Sequence, residues 1–372
     1  MIGNSQHGFG SFRPAGLGAG AAMLRAEHAT APGLAEREFP HAARQPQANY
    51  AALDLGTNNC RLLIARPARG GFRVVDAFSR IVRLGEGLAT SGELSEPAMA
   101  RTIEALRVCA GKIGQRKVAA GRYVATEACR RAENCAAFLD RVREEIGIEL
   151  EIISSGEEAR LVVAGCAPLL HPRIPHALVF DIGGGSTEIV WLRRHGSRSG
   201  SHPVPEIIGS VSLPFGVVTF TERFGGIEVS PAIYRAMVAE AEAALLPFER
   251  EYGIRREVRA RQVQMLGSSG TVTTLAGVHL ALPRYIRAFV DGSMLTFDQI
   301  ELVSRHLAGL DIEGRAANPC VGRERADLVL SGCAILDAIC ATWPVGRLRV
   351  ADRGIREGIL FELMQGVGSP ET

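Results

Sequence analysis

Lysine is nearly absent from this 372-residue chain: Lys112 and Lys117 are the only two, and the other basic side chains are arginine. Arginine suits bidentate phosphate contacts, although genomic coding bias produces the same enrichment. Aromatic residues are scarce at 6%, which argues against base-stacking nucleic-acid platforms. A net charge of only +2 gives no ground for a nucleic-acid or membrane surface. No stretch approaches 18 clean apolar residues, so no transmembrane helix is expected. The eight cysteines (Cys60, Cys109, Cys129, Cys135, Cys166, Cys320, Cys333 and Cys340) form no C-x-x-C pair. That disfavours zinc ribbons and thioredoxin-type redox sites. Scattered thiols beside apolar residues read as buried free cysteines in a reducing cytoplasm. The G-x-G-x-x-G, G-x4-G-K-[ST] and G-x-S-x-G patterns are also missing. Rossmann, P-loop and nucleophile-elbow sites are therefore disfavoured.

What is present is a motif that occurs twice. Leu53-Asp54-Leu55-Gly56-Thr57-Asn58-Asn59 follows one apolar run, and Phe180-Asp181-Ile182-Gly183-Gly184-Gly185-Ser186-Thr187-Glu188 follows another. A second apolar run comes after each (Leu62–Ala65 and Ile189–Leu192). The two aspartates lie about one small domain apart. With 47% hydrophobic and 22% charged residues, the length fits a two-domain α/β protein. Residues 1–48 are rich in Gly, Ala and Pro without periodicity and are expected to be a disordered tail.

The first copy reads as a hairpin over 50–66, a strand over 72–84, and a helix capped by Ser95 with Pro97 in its first turn. A strand over 118–125, a helix over 132–146, a short strand over 149–153 and a helix from Ser155 to about Gly165 follow. His171–Pro175 is a natural boundary. In the second half, 195–205 reads as a hairpin loop, 211–220 as further sheet and 233–249 as an amphipathic helix. A strand over 262–266 runs into Gly267-Ser268-Ser269-Gly270-Thr271 and a helix. A short strand over 348–351 and the segment 353–358 precede a final helix.

Glycine turns let backbone N–H groups converge on an anion without Cβ interference. Two such cradles facing one cleft could hold a phosphorylated ligand. Asp54 and Asp181 sit beside these turns, and an aspartate near phosphate suggests a metal ion or an oriented water. Alternatively each holds its own turn as an Asx turn does. The 267–271 turn, between strand and helix, offers amides and a positive helix end, or is merely a connection. Glu157 and Glu158 open a helix; they are common N-terminal acidic residues, or one faces the cleft as a general base. Arg130 and Arg131 could reach the same cleft or could be a solvated charge.

Taken together, these segments resemble the exopolyphosphatase/guanosine pentaphosphate phosphohydrolase (Ppx/GppA) family of the actin, sugar kinase and Hsp70 superfamily. The stretches that carry the resemblance are Ala52–Asn58, Arg83–Leu88, Ala125–Arg130, Ile152–Arg160, Phe180–Glu188, Gly267–Thr271 and Asp352–Gly358, in family order over roughly 50–362. The resemblance implies two duplicated actin-like domains, 49–172 and 173–372, with an interdomain cleft and a final helix that packs back on the first. It implies that Glu158 activates the attacking water and that Glu188 is a second essential carboxylate facing it. Asp54 and Asp181 would place Mg²⁺ (or Mn²⁺) or water. Arg130 would contact a phosphate. Phosphates would also meet the turns Gly56-Thr57-Asn58-Asn59, Gly183-Gly184-Gly185-Ser186-Thr187 and Gly267-Ser268-Ser269-Gly270-Thr271. The implied activity is removal of terminal orthophosphate from inorganic polyphosphate, with pppGpp as the alternative substrate; a homodimer is also compatible. Two departures stand out. The chain has no His-Asp pair of the kind found in the extra C-terminal domain of long members, and its first turn reads Thr-Asn-Asn-Cys where Ser-Asn-Ser is frequent.

Overall fold

The computed structural model describes residues 48–194, 205–225 and 228–365. The expected tail 1–48 and the expected loop 195–205 fall outside the described residues, apart from Ala48 and Pro205. The duplication seen in the sequence is a duplication of topology. In the first half, β1 (Asn49–Leu55), β2 (Asn59–Ala68), β3 (Gly71–Ile81), β4 (Val118–Ala125) and β5 (Glu151–Ile152) form a sheet of order β3-β2-β1-β4-β5. In the second, β6 (His176–Ile182), β7 (Thr187–Arg193), β8 (Glu206–Leu213), β9 (Val263–Ser268), β10 (Met294–Thr296) and β11 (Arg347–Val350) form β10-β11-β9-β6-β7-β8. Each central strand pairs antiparallel with its hairpin partner and parallel with the strand beyond (β1 with β2 and β4, β6 with β7 and β9). β1 and β6 share one burial pattern, with four buried residues in a row after the first. Strands covered on both faces read as continuous apolar runs, and that is why these two were visible in the sequence.

Three cores hold the molecule. One fills the outer face of each sheet: Leu53, Leu62, Leu106 and Phe138 in the first half, Phe180, Phe220, Leu336 and Trp343 in the second. The third lies between the sheets, where the helices Ser155–Cys166 and Ile355–Gln365 are sandwiched. Leu161 and Val162 from the first helix and Ile359 and Leu360 from the second meet Ala52 and Leu63 on one side and Val179 and Val190 on the other. The helices cross at glycines. A Cβ on Gly165 would sit 2.1 Å from the Gly354 carbonyl oxygen, and one on Gly358 2.2 Å from that of Leu161. The final helix thus packs against β1 and β2.

Several local expectations are corrected. The β-branched stretch 217–220 is helical rather than sheet. β8 ends at Leu213, and Gly216 opens the helix Val217–Arg223 with its amide donating to Thr219 Oγ1. Val217 and Val218 donate their amides to the carbonyls of Gly183 and Gly184, so a tertiary contact overrides strand propensity. The expected helix 132–146 is Cys135–Ile146, and a short helix that was not expected, Glu127–Arg131, precedes it. The segment 353–358 does not precede the final helix but starts it, at Ile355. The helix expected over 233–249 runs Pro231–Tyr252, and its Met237, Leu245 and Phe248 are spent on the core. Seven of the eight cysteines are buried and Cys340 is partly so; all are free thiols.

Candidate active site

The two hairpin turns meet at the cleft between the sheets, and the equivalence is residue for residue. Gly56 donates its amide to the Asn59 carbonyl at 2.9 Å, and Gly183 donates to that of Ser186 at 2.9 Å. Across each hairpin the aspartate faces one partner: Asp54 pairs with Arg61, and Asp181 with Glu188. The register position that carries an acid in the second copy therefore carries a base in the first.

The run of three glycines has a steric reason. A Cβ on Gly185 would lie 2.7 Å from Thr57 Oγ1, and one on Gly184 3.0 Å from Thr57 Cβ. The second turn is pressed against the first, and only glycine fits. Among the described residues, the amides of Thr57, Asn58, Gly184 and Gly185 donate to no carbonyl. They border a cavity of about 120 Å³ together with Asp54, Glu158, Asp181 and Glu188. The buried Asn58 Oδ1, Asn59 Oδ1 and Ser269 Oγ, from residues lining the same cavity, have no partner. Ser269 also holds a left-handed backbone (φ 93°), a strained conformation for a residue with a side chain.

Glu157 and Glu158 divide the two roles left open by the sequence. Ser154 caps the helix through the Glu157 amide, and the Glu157 carboxylate pairs with Arg160 and Arg122 at the surface. Glu158 is buried and turned into the cavity. Burial, reinforced by the nearby Glu188 charge, pushes its carboxyl well above the usual range, and Arg130 opposes the shift. Glu188 is pushed up to about 7, chiefly by burial, although Ser212 donates to its Oε1 at 2.9 Å. Asp181 is pushed up to about 6 by burial, and burial also raises Asp54.

Three phosphate contacts expected from the resemblance are redirected. Arg130 is engaged elsewhere: it donates to Glu158 Oε2 at 2.8 Å, to Glu127 Oε2 at 2.8 Å and to the Ile153 carbonyl at 2.9 Å. It positions the candidate base rather than lining the cavity. Thr187 donates to the Phe215 carbonyl at 2.8 Å and is fully buried. In the 267–271 turn, Gly267 and Ser268 belong to β9. Gly267 makes room for Phe180, whose ring would lie 2.6 Å from a Cβ there, and Ser268 donates to the Arg353 carbonyl. Ser269, Gly270 and Thr271 do line the cavity, as do Gly56–Asn59 and Gly183–Ser186.

Sequence reasoning missed Arg61 and Arg325. Both line the cavity, and among the described residues neither forms an ion pair within 4.0 Å. Burial and the Arg61 charge push Arg325 below its ordinary value, as befits two cations awaiting an anion. An ungapped alignment of the two turns would have exposed Arg61, since it falls on the position of Glu188. Beyond these arginines the cavity opens into a chamber of about 810 Å³ edged by Arg80, Arg287, Arg353 and Arg356.

A sequence profile of the Ppx/GppA phosphatase family matches residues 63–366. The chain belongs to this family. It is 32% identical over 316 residues to the guanosine-5′-triphosphate,3′-diphosphate pyrophosphatase of Aeromonas hydrophila, covering 85% of this chain. The chain spans only 59% of that relative's length. Among solved structures it resembles the Aquifex aeolicus Ppx/GppA family member (28% identity, TM-score 0.69, 87% of this chain and all of that one). It also resembles an exopolyphosphatase-like protein (26% identity, TM-score 0.77, 87% and 100% covered). The fold is the two-domain, actin-like α/β architecture of these Ppx/GppA structures.

The cavity's donors suit a hard cation. They are carboxylate, amide and hydroxyl oxygens, with no thiol or imidazole among them. Among the described residues no three His, Cys, Asp or Glu side chains converge as a ready-made cage.

Proposed function

We propose that this protein hydrolyses a terminal phosphoanhydride, with pppGpp as the preferred substrate and orthophosphate and ppGpp as products. The observation that carries the reading is the asymmetric cavity, with unpartnered amides from both turns on its walls and Glu158 beside Glu188. The terminal phosphate would occupy the 120 Å³ cavity, where the amides of Thr57, Asn58, Gly184 and Gly185 neutralise charge on its oxygens. Glu158 would take a proton from water as that water attacks phosphorus and the bond to the bridging oxygen breaks. A carboxylate raised by burial is a stronger base than an exposed one, and Arg130 fixes its direction. Asp54 and Asp181 would hold Mg²⁺ (or Mn²⁺), which when bound supplies neutralisation of the phosphate chain and of the raised acids. Arg61, Arg325 and the arginine-edged chamber would take the rest of the substrate.

The name of the Aeromonas hydrophila relative supports pppGpp over polyphosphate, the reverse of the order expected from the sequence. Inorganic polyphosphate remains a second reading, supported by the exopolyphosphatase-like structural neighbour and by the arginine-edged chamber. Phosphate release measured side by side on pppGpp and on polyphosphates of several lengths, with and without Mg²⁺, tests both. Higher kcat/KM on pppGpp is expected. Tight binding of either ligand without release would instead mark a sensor.

A further inference from the structure

The segment Arg83-Leu84-Gly85-Glu86-Gly87-Leu88 has no part in the chemistry above, yet it touches both halves of the molecule. We propose that it is a latch: it ties the two phosphate turns to each other and holds the cleft closed, with Arg83 and Asp327 as its positioning pair. The proposal rests on the hydrolase reading for its kinetic consequences, but not for its conformational ones.

On the first half, the amides of Val82 and Arg83 donate to the Asn58 carbonyl (2.8 and 3.1 Å), and that of Gly85 to the Thr57 carbonyl (2.9 Å). A Cβ on Gly85 would lie 2.3 Å from Thr57 Cγ2, so the segment backs directly onto the first turn. On the second half, the Gly87 amide donates to Glu222 Oε1 at 2.9 Å. Glu222 stands on the helix Val217–Arg223, whose first two amides hold the Gly183 and Gly184 carbonyls. One unbroken chain of contacts therefore runs from first turn to segment to helix to second turn.

The second attachment is stronger. Arg83 makes a two-pronged pair with Asp327 (2.8 and 3.0 Å) and also donates to the Glu324 carbonyl at 3.1 Å. Forked pairs of this kind carry geometric specificity beyond a point charge. Arg325, which reaches the cavity, lies between the two acceptor residues, and Leu328 and Val329 beside them line the same cavity. Arg83 pays for this reach with a left-handed backbone (φ 48°), a strain that persists only where surroundings over-determine it. Both partners are partly exposed, so the pair can open without unfolding the core.

A latch of this kind sets the fraction of molecules ready to receive substrate. Opening it raises KM in proportion, whereas a saturating substrate bridging the turns closes the cleft again and leaves kcat nearly unchanged. The test uses the full chain with R83M, D327N, the double variant R83M/D327N and E222A. Each single variant is expected to raise KM by about 10-fold with kcat within about 2-fold. The Arg83/Asp327 double should be no worse than its singles. Amide exchange in the ligand-free protein should rise together over 82–92 and 217–223. The latch is overturned if kcat falls while KM holds, if the double is additive, or if exchange rises in only one of the two segments. If the wild type releases no phosphate from pppGpp or polyphosphate, the hydrolase reading fails, and the exchange data alone still judge the latch.

Discussion

The two turns share a hairpin, a register and a backbone hydrogen bond, and differ in almost every side chain. The first keeps one glycine and presents Thr57 and Asn58; the second strips itself to Gly183-Gly184-Gly185 so that it can lie against them. At the matching strand position the first offers Arg61 and the second Glu188. Duplication thus gave two like turns, and divergence put a cation in one and an acid in the other at the same register position. The central helices repeat the lesson. Each begins with a buried glutamate. Glu357 accepts from the Gly354 amide at 2.9 Å and from Arg287 at 2.8 Å. Burial pushes it up, but Arg356 and Arg287 bring it below its ordinary value. Glu158 pairs with Arg130, has an acid opposite, and is raised. One glutamate caps a helix and the other is left reactive.

The sharpest way to break this comparison is E158Q. It should reduce kcat by about 10²- to 10⁴-fold with the fold intact, as loss of a general base does; near-normal turnover would remove Glu158 from that role. Because the base must be deprotonated and burial holds its carboxyl above the ordinary range, kcat/KM should fall as pH drops, starting at a higher pH than for an exposed glutamate.

The second test separates chemistry from stability. Glu188, at about 7, and Asp181, at about 6, bind protons more tightly in the folded chain than their ordinary values of 4.5 and 3.8 allow in the unfolded one. The folded state thus holds extra protons between about pH 4 and 7, and ligand-free stability falls as pH rises through that window. E188Q should lose activity yet raise the ligand-free Tm at pH 8 by about 2–4 °C, with no gain at pH 4. Thermal melts at both pH values decide it.

A third contrast compares equivalent glycines. A Cβ on Gly183 would meet the Ser186 carbonyl oxygen at 2.9 Å, whereas one on Gly56 would meet its nearest neighbour at an ordinary 3.7 Å. G183A should destabilise by about 1–3 kcal/mol and G56A by less than about 1 kcal/mol, read by denaturant melts. Equal effects would mean that the turns are not sterically distinct. The smallest effect is expected of E157Q. Its exposed pairs contribute at most about 1 kcal/mol, and kcat should stay within about 2-fold. A large loss of turnover would reverse the roles of the two adjacent glutamates.

Much of this protein is settled locally. Continuous apolar runs gave β1 and β6, glycine after Asp gave both turns, and Ser95 gave a helix start, because propensity, capping and burial act within a few residues. The sequence alone also pointed to both turns and to the Glu157-Glu158 pair as cleft candidates. It did not say which of Glu157 and Glu158 faces inward, since both lie in one helical turn and only the packing of that helix between two sheets turns Glu158 to the cavity. Nor did it say that Arg130 would be held by Glu127 and Glu158, that Gly267 would yield its space to Phe180, or that Arg83 would cross to Asp327, 244 positions away. Those choices depend on how the two halves close on each other, and closure is decided by contacts between residues that no local pattern connects.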